Sequence, residues 1–70
     1  MKLSARNQLQ GTVRHVELGT VMAEVTVDVA GQQIVSAITR ASAERLALAE
    51  GQPVTVFIKA TEVLLGIDED

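Results

Sequence analysis

The chain has 70 residues, of which 47% are apolar, with no cysteine, one histidine and a formal net charge of −3 at pH 7. So short a chain is expected to form one domain over residues 1–70, and without disulfides or thiolate metal sites self-association is the expected source of additional stability. The acidic balance and the single aromatic residue argue against nucleic-acid or membrane partners, because both attract basic faces and single strands stack on aromatic rings.

The N-terminal segment predicts extended structure. Residues 1–9 are polar and small, and we expect an extended arm or a first edge strand there. Residues 12–18 predict a strand in which Arg14 and His15 interrupt the alternation, which indicates a bulge or a half-exposed face. No carboxylate, serine or cysteine motif surrounds His15, so we interpret it as a packed or solvated strand residue.

A hairpin is predicted next. Residues 21–29 alternate small apolar with polar side chains, the pattern of a half-buried strand. Residues 30–32 predict the turn, because Gly31 can take a positive φ without steric cost. Residues 33–39 are largely apolar on both parities, which predicts either a central strand or a strand covered by a partner subunit.

The period of the pattern changes between residues 39 and 51. Apolar residues recur at helical spacing at Ala43, Leu46 and Ala47, which predicts a helix of about two turns. Thr39 is a plausible N-cap, with Ser42 at the third helical position. Their hydroxyls either only cap the helix or also meet a negative ligand beside the unpaired N–H groups.

The C-terminal stretch, residues 54–65, contains a polar break at Lys59, Ala60 and Thr61 between two β-prone flanks. We expect a tight corner between a strand over residues 54–58 and another over residues 63–67. Such a corner would offer a cation, an open backbone N–H and a hydroxyl to a small oxyanion, although it could equally be solvated surface. The acidic tail, residues 68–70, is expected to fray.

These elements predict an all-β fold with one short helix. We expect about five short strands in a five-stranded OB-like barrel, with the helix before the fourth strand. The sequence holds no nucleophile motif, no phosphate-binding loop and no zinc-binding helix motif, so we expect no enzymatic activity. It also has no signal-peptide core and no long apolar run, which predicts a soluble, cytoplasmic protein.

Three groups of hydrogen-bond donors stand out in surroundings of small residues. They are Ser4, Arg6 and Asn7 near the start, Thr39 and Ser42 at the helix start, and Lys59 and Thr61 near the end. Donors without matching acceptors suit an anion that is fully deprotonated at pH 7, because each of its oxygens can accept.

Five motifs carry a resemblance to a known family. They are S-A-R-N at residues 4–7, A-E-V at 23–25, I-T-R-x-S at 38–42, L-x-L-x-x-G at 46–51 and I-K-A-T-E-V at 58–63. In this order and spacing the chain resembles the molbindins, the small molybdenum-pterin-binding or Mop proteins. These consist of a transport-associated OB-like (TOBE) domain. The likeness covers nearly the whole chain, from Met1 to Leu65.

The resemblance implies an OB-like fold, a homo-hexamer built as a trimer of dimers, and binding of molybdate or tungstate at subunit interfaces for intracellular storage or buffering. It implies a first class of site formed by one subunit and its neighbour: Ser4, Arg6 and Asn7 with Lys59, Ala60 and Thr61. It implies a second class formed by the backbone of Val21, Met22 and Ala23 with Thr39 and Ser42. The family often has Asn where this chain has Met22, so a side-chain donor is missing there.

Two other interpretations remain open at this stage. The same kind of domain occurs as an oligomerisation or sensing module on molybdate-dependent regulators and transporters. An OB-like domain could also bind nucleic acid, although the acidic charge and the lack of aromatic residues disfavour that hypothesis.

Overall fold

Four antiparallel strands form one sheet in the computed structural model, which describes residues 1–68. The strands are β1 (Asn7–Leu18), β2 (Met22–Val29), β3 (Gln32–Thr39) and β4 (Pro53–Ile58), in the sheet order β3-β2-β1-β4. A short helix, α1 (Arg40–Arg45), follows β3, and a 3-10 helix (Ala60–Glu62) follows β4. The predicted mostly β fold with one short helix before the fourth strand is confirmed.

The long strand β1 organises the sheet because it pairs with two different partners. Its first half, from Asn7 to Thr12, lies beside β4, and its second half, from Thr12 to Leu18, lies beside β2. Residues 7–9 therefore form the start of β1, where the strand pairs on one side only, with β4. The register shifts between Val13 and His15, which is the predicted bulge.

The hairpin of β2 and β3 supplies most of the core. Its two-residue loop has positive φ at both Ala30 (51°) and Gly31 (84°), so Gln32 already belongs to β3. The inward side chains Val25 and Val27 pack against Val13 of β1 and form the buried cluster. The first apolar residue of the predicted strand, Val21, lies outside β2 and is exposed.

The third strand lies at an edge of the sheet, so the prediction of a central position is wrong. It pairs with β2 on one side, and its outward Val35 is 59% exposed. Apolar residues on both faces of a strand indicate that both faces are buried. The pattern does not show whether the same chain or a partner chain covers them. The other predicted explanation, a partner subunit, stays a prediction.

The helix is six residues long, somewhat under two turns, and it has the predicted cap. The Thr39 hydroxyl oxygen accepts a hydrogen bond from the Ser42 N–H at 3.1 Å. Ala43 packs its side chain into the core. The helix ends where Ala47 takes a left-handed φ of 51°.

The chain after β4 differs from the prediction. The expected corner is a single 3-10 turn, and residues 63–68 form no strand, with Leu64, Leu65 and Ile67 at least 90% exposed. Within residues 1–68 no ladder joins β3 to β4, so a single chain gives four strands and an open sheet in place of the predicted five-stranded barrel. The physical reason is that a strand needs a paired edge, and within residues 1–68 the segment 63–67 forms no ladder with either edge of the open sheet. Of the predicted frayed tail, residues 69–70 lie outside the described part.

No helix within residues 1–68 combines the length and the apolar character that crossing a bilayer requires.

Candidate oxyanion-binding sites

The first predicted group of donors lies at one end of the β1–β4 ladder. Asn7 pairs in register with Ile58, and its side-chain Nδ2 donates to the Ile58 carbonyl oxygen at 3.1 Å. Arg6 and Lys59 are the next residues outward on these two neighbouring segments. Asn7 and Ile58 are 51 residues apart in the sequence. The two motifs that contain them therefore meet within one chain.

Several donors at this end of the ladder have no hydrogen-bond partner among the described residues. The 3-10 turn uses the amides of Glu62 and Val63, which donate to the Lys59 and Ala60 carbonyls at 2.8 and 3.3 Å. The two preceding amides, those of Ala60 and Thr61, donate no hydrogen bond within residues 1–68. Two amides therefore remain available beside Lys59.

The cations of the first site are also unpaired. Among the described residues, neither Arg6 nor Lys59 takes part in an ion pair, although Arg14 and Arg40 do. Ser4, Arg6, Lys59 and Thr61 are all exposed in the single chain. The predicted residues of the first site thus include two cations, two amides and two hydroxyls, which are the donor types that a negative group accepts from.

The side chain of Asn7 already makes one hydrogen bond within the chain. Its side-chain amide is engaged with the Ile58 carbonyl, so it ties the N-terminal segment to the end of β4. The predicted ligand therefore acts first as a structural link, and only its second N–H is left to donate.

The second predicted group lies at the other end of the β2–β3 hairpin. Met22 pairs in register with Thr39, and the Arg40 N–H donates to the Val21 carbonyl oxygen at 2.8 Å. The turn that leads into β2 closes through the Gly19 N–H, which donates to the Met22 carbonyl oxygen at 2.7 Å. The backbone turn and the helix start are thus neighbours in one chain, as the predicted second site requires.

The hydroxyls of the second site are partly used by the helix cap. Thr39 Oγ1 accepts from the Ser42 N–H and donates its own hydrogen to Ser42 Oγ at 2.9 Å. Of the two hydroxyls, only that of Ser42 keeps a hydrogen for a ligand. The predicted helix cap is therefore present, and it leaves the Ser42 hydroxyl as the one side-chain donor of the second site.

The remaining members of the second site contribute unequally. The amides of Thr20 and Val21 donate no hydrogen bond within residues 1–68 and lie in an exposed turn. Met22 is 48% exposed but has no donor in its side chain. Ala23 is buried with its side chain in the core, and its backbone, which is the predicted contributor, follows directly after Met22 in β2.

Two residues near the second site were missed by the sequence reasoning. Arg40 Nη1 donates to the Gly19 carbonyl oxygen at 3.2 Å, and a Cβ on Gly19 would lie 2.8 Å from the Met22 carbonyl oxygen. The I-T-R-x-S motif contains Arg40, but only its threonine and serine had been assigned to the site. The turn geometry that gives the arginine and the glycine their roles is not visible in a linear pattern.

Comparison with known families agrees with this arrangement of strands and donors. The model of the TOBE domain matches residues 3–65, which is most of the chain. The chain belongs to the TOBE-domain family. The match includes both candidate sites of this TOBE domain, from Ser4 to Thr61.

The similarity extends to small proteins of the same length. A probable molybdenum-pterin-binding protein of Haemophilus influenzae is 41% identical over 69 residues, which cover 97% of this chain and 100% of the relative. Because the likeness covers both chains nearly end to end, the resemblance to the molybdenum-pterin-binding proteins is confirmed.

Solved structures give the same picture. A molybdate-binding protein of Sporomusa ovata superposes with a TM-score of 0.91 at 43% identity, covering 96% of this chain and 100% of that one. The cytoplasmic molybdate-binding protein ModG, solved with molybdate bound, has a TM-score of 0.82 at 41% identity. In that case the match covers 86% of this TOBE domain and 43% of the longer ModG chain.

Proposed function

We propose that this TOBE domain, spanning residues 1–70, binds molybdate, or its close analogue tungstate, for intracellular storage or buffering. The observation that carries the proposal is the junction of Asn7 with Ile58, which brings the segments of Arg6 and Lys59 together at one end of the ladder. Within residues 1–68 neither cation is in an ion pair, and the amides of Ala60 and Thr61 donate no hydrogen bond. Molybdate is a tetrahedral dianion at neutral pH, so all its oxygens accept and none donates. A set of donors with two cations matches that chemistry.

The charge distribution supports a local anion site. The chain carries a net charge of −3, so its overall field does not attract anions. Lys59 and Arg6 lie at one end of the sheet without carboxylate partners among residues 1–68. Relatives named for binding molybdate or molybdenum-pterin favour this ligand over other dianions.

We further propose that the sites are completed in a homo-oligomer. The first-site side chains are exposed in a single chain, where water competes with every hydrogen bond and screens the cations. A neighbouring copy that covers this end would exclude water and strengthen the same contacts. The molbindin resemblance implies that Ser4, Arg6 and Asn7 of one subunit join Lys59, Ala60 and Thr61 of its neighbour. Because Asn7 and Ile58 already meet within each chain, such a site would bring the corresponding ladder ends of two copies together.

Exposed apolar surface supports such an assembly. The inner face of the sheet has an apolar groove, whose lining includes Ile38, Leu46, Leu48, Val54 and Phe57. Residues 63–67 are an exposed apolar segment without a strand partner, and β3 is an edge strand with no charged residue to block pairing. We place the fifth strand and the closed OB-like barrel in this assembly, as the trimer of dimers that the molbindin resemblance implies.

The proposal describes a binding protein and not an enzyme. Its donors are suited to hold a closed-shell anion, and no bond to that anion needs to break. A cytoplasmic location is proposed by analogy with ModG.

Native mass spectrometry with and without molybdate tests the proposal, because it reports subunit number and ion count together. We expect a hexamer that gains a defined number of molybdate ions, and isothermal titration should give saturable uptake. Lys59→Gln should weaken one class of site, whereas Arg45→Gln, which removes one exposed cation outside both sites, should not. Absence of any uptake would reject the proposal.

A second candidate is an oligomerisation or sensing module of a molybdate-dependent regulator or transporter. It is favoured by one observation, namely that the match to ModG covers only 43% of that longer chain, so such a domain also forms part of larger proteins. Copurification with a DNA-binding or ATPase partner would support this candidate over storage.

A further inference from the structure

Arg40 is bound to the turn before β2 by both its backbone and its side chain. Its N–H donates to the Val21 carbonyl oxygen at 2.8 Å, and its Nη1 donates to the Gly19 carbonyl oxygen at 3.2 Å. On the other side, its Nε lies 3.5 Å from Oε2 of Glu44, one helical turn later. The guanidinium is therefore held between the helix and the turn.

The turn itself has little other support. One backbone bond closes it, from the Gly19 N–H to the Met22 carbonyl oxygen at 2.7 Å. Gly19 cannot carry a side chain without a shift, because a Cβ would lie 2.8 Å from that oxygen. The carbonyl oxygens of Gly19, Val21 and Met22 are all occupied by donors from Arg40 or Gly19.

Occupied carbonyls change what the turn offers to a ligand. A free carbonyl oxygen carries partial negative charge and repels an anion, whereas a donor bound to that oxygen offsets part of the charge. The amides of Thr20 and Val21 remain unpaired within residues 1–68. The turn therefore presents donors toward solvent while its carbonyls at positions 19, 21 and 22 are held by hydrogen bonds.

We infer that Arg40 is a positioning residue for the second molybdate site, where it fixes the turn over residues 19–22 so that the Thr20 and Val21 amides face the anion. The inference rests on the proposed function. Because Met22 supplies no side-chain donor, the site depends on backbone amides. The turn sets the direction in which those amides point. Arg40 also adds a positive charge next to them.

Loss of the Arg40 side chain is not expected to unfold the protein. It is 42% exposed, and its pair with Glu44 is an exposed helix pair of the kind that contributes little to stability. Arg40→Gln removes the bond to Gly19, and Glu44→Gln is the matched control because it removes the ion pair but keeps that bond.

The test is isothermal titration of the full chain with molybdate, together with amide hydrogen exchange at residues 20 and 21. Arg40→Gln should weaken one class of site by about tenfold, leave the class that Lys59→Gln removes unchanged, and speed exchange at both amides. Glu44→Gln should leave both classes of site as in the wild type. If Arg40→Gln leaves both classes unchanged, or weakens both equally, the inference is wrong.

A second variant keeps the test independent of Arg40. Gly19→Ala distorts the same turn from the other side and should reproduce the selective loss, whereas Ala30→Gly, an alanine–glycine exchange in the hairpin loop after β2 and outside both sites, should not. Wild-type binding to both classes with no effect of Gly19→Ala would overturn the inference alone. A wild-type chain that binds no molybdate would overturn the proposed function and this inference together.

Discussion

The side-chain amide of Asn7 donates to the Ile58 carbonyl oxygen at 3.1 Å and joins the two segments that carry the first-site donors. Without this bond, the segment before β1 and the turn after β4 would each move more freely, because the ladder between them ends at this pair. The spacing of the segments that carry Arg6 and Lys59 is therefore controlled by the bond between their chain neighbours, Asn7 and Ile58.

Replacing Asn7 should affect stability and binding together. We expect Asn7→Ala to lower the free energy of unfolding by about 0.5–1 kcal/mol per protomer, the lower part of the range because the bond is exposed to water. It should also weaken the first class of site. Urea unfolding at a fixed protein concentration and titration with molybdate measure the two effects. Gln10→Ala, at an exposed β1 residue, is the control, and equal behaviour of the two variants would contradict the assigned role.

A side-chain donor at position 22 should strengthen the second class of site. Met22 is 48% exposed and pairs with Thr39, so Met22→Asn is expected to fit without repacking the core. Its amide would add one hydrogen bond to the anion, and we expect affinity to rise about three- to tenfold. Titration with molybdate tests this, with Met22→Leu as the control for lost methionine. Unchanged affinity in Met22→Asn would show that the side chain at 22 does not reach the ligand.

The end of α1 should be stabilised by glycine. Ala47 has a φ of 51°, a left-handed conformation that costs an L-residue with a Cβ more than it costs glycine. We expect Ala47→Gly to raise the free energy of unfolding by about 0.5–1 kcal/mol. Ala41→Gly, the same change at an exposed position inside the helix, should lower it by about 1 kcal/mol. Shifts of the same sign in urea unfolding would contradict this account.

The apolar segment after the 3-10 turn should control assembly. If residues 63–67 form a strand against another copy, residues 63, 65 and 67 share the face that is buried. We expect Leu65→Glu to disrupt the oligomer and Leu64→Glu, on the opposite face, to affect it less, although both side chains are more than 90% exposed in the single chain. Native mass spectrometry distinguishes the two variants. Wild-type assembly in both would exclude this segment from the interface.

Much of the fold could be predicted because it depends on local pattern. The alternation through residues 21–29 fixed the face that Val25 and Val27 bury, and Gly31 marked the hairpin. The hydroxyl of Thr39, three residues before Ser42, gave the helix cap. Each of these features depends on neighbours within a few residues, which a linear sequence displays directly.

The features that could not be predicted depend on distant or external partners. The sequence of residues 63–67 does not show whether the strand that pairs with them belongs to the same chain. In the single chain these residues, expected to form a fifth strand, are an exposed segment. The tie from Asn7 to Ile58 and the bond from Arg40 to the Gly19 carbonyl both join residues more than 20 positions apart. They depend on sheet register and turn geometry, which become known only when the chain is folded.

A molybdenum anomalous difference map from crystals of the molybdate-loaded protein tests the central claim most directly. The account predicts a peak at the end of the β1–β4 ladder, within hydrogen-bond distance of the Lys59 side chain and of the Ala60 or Thr61 amide, with Arg6 of the same or a neighbouring copy facing it. A map with no peak there, and with Arg6 and Lys59 turned toward separate regions of solvent, would contradict it.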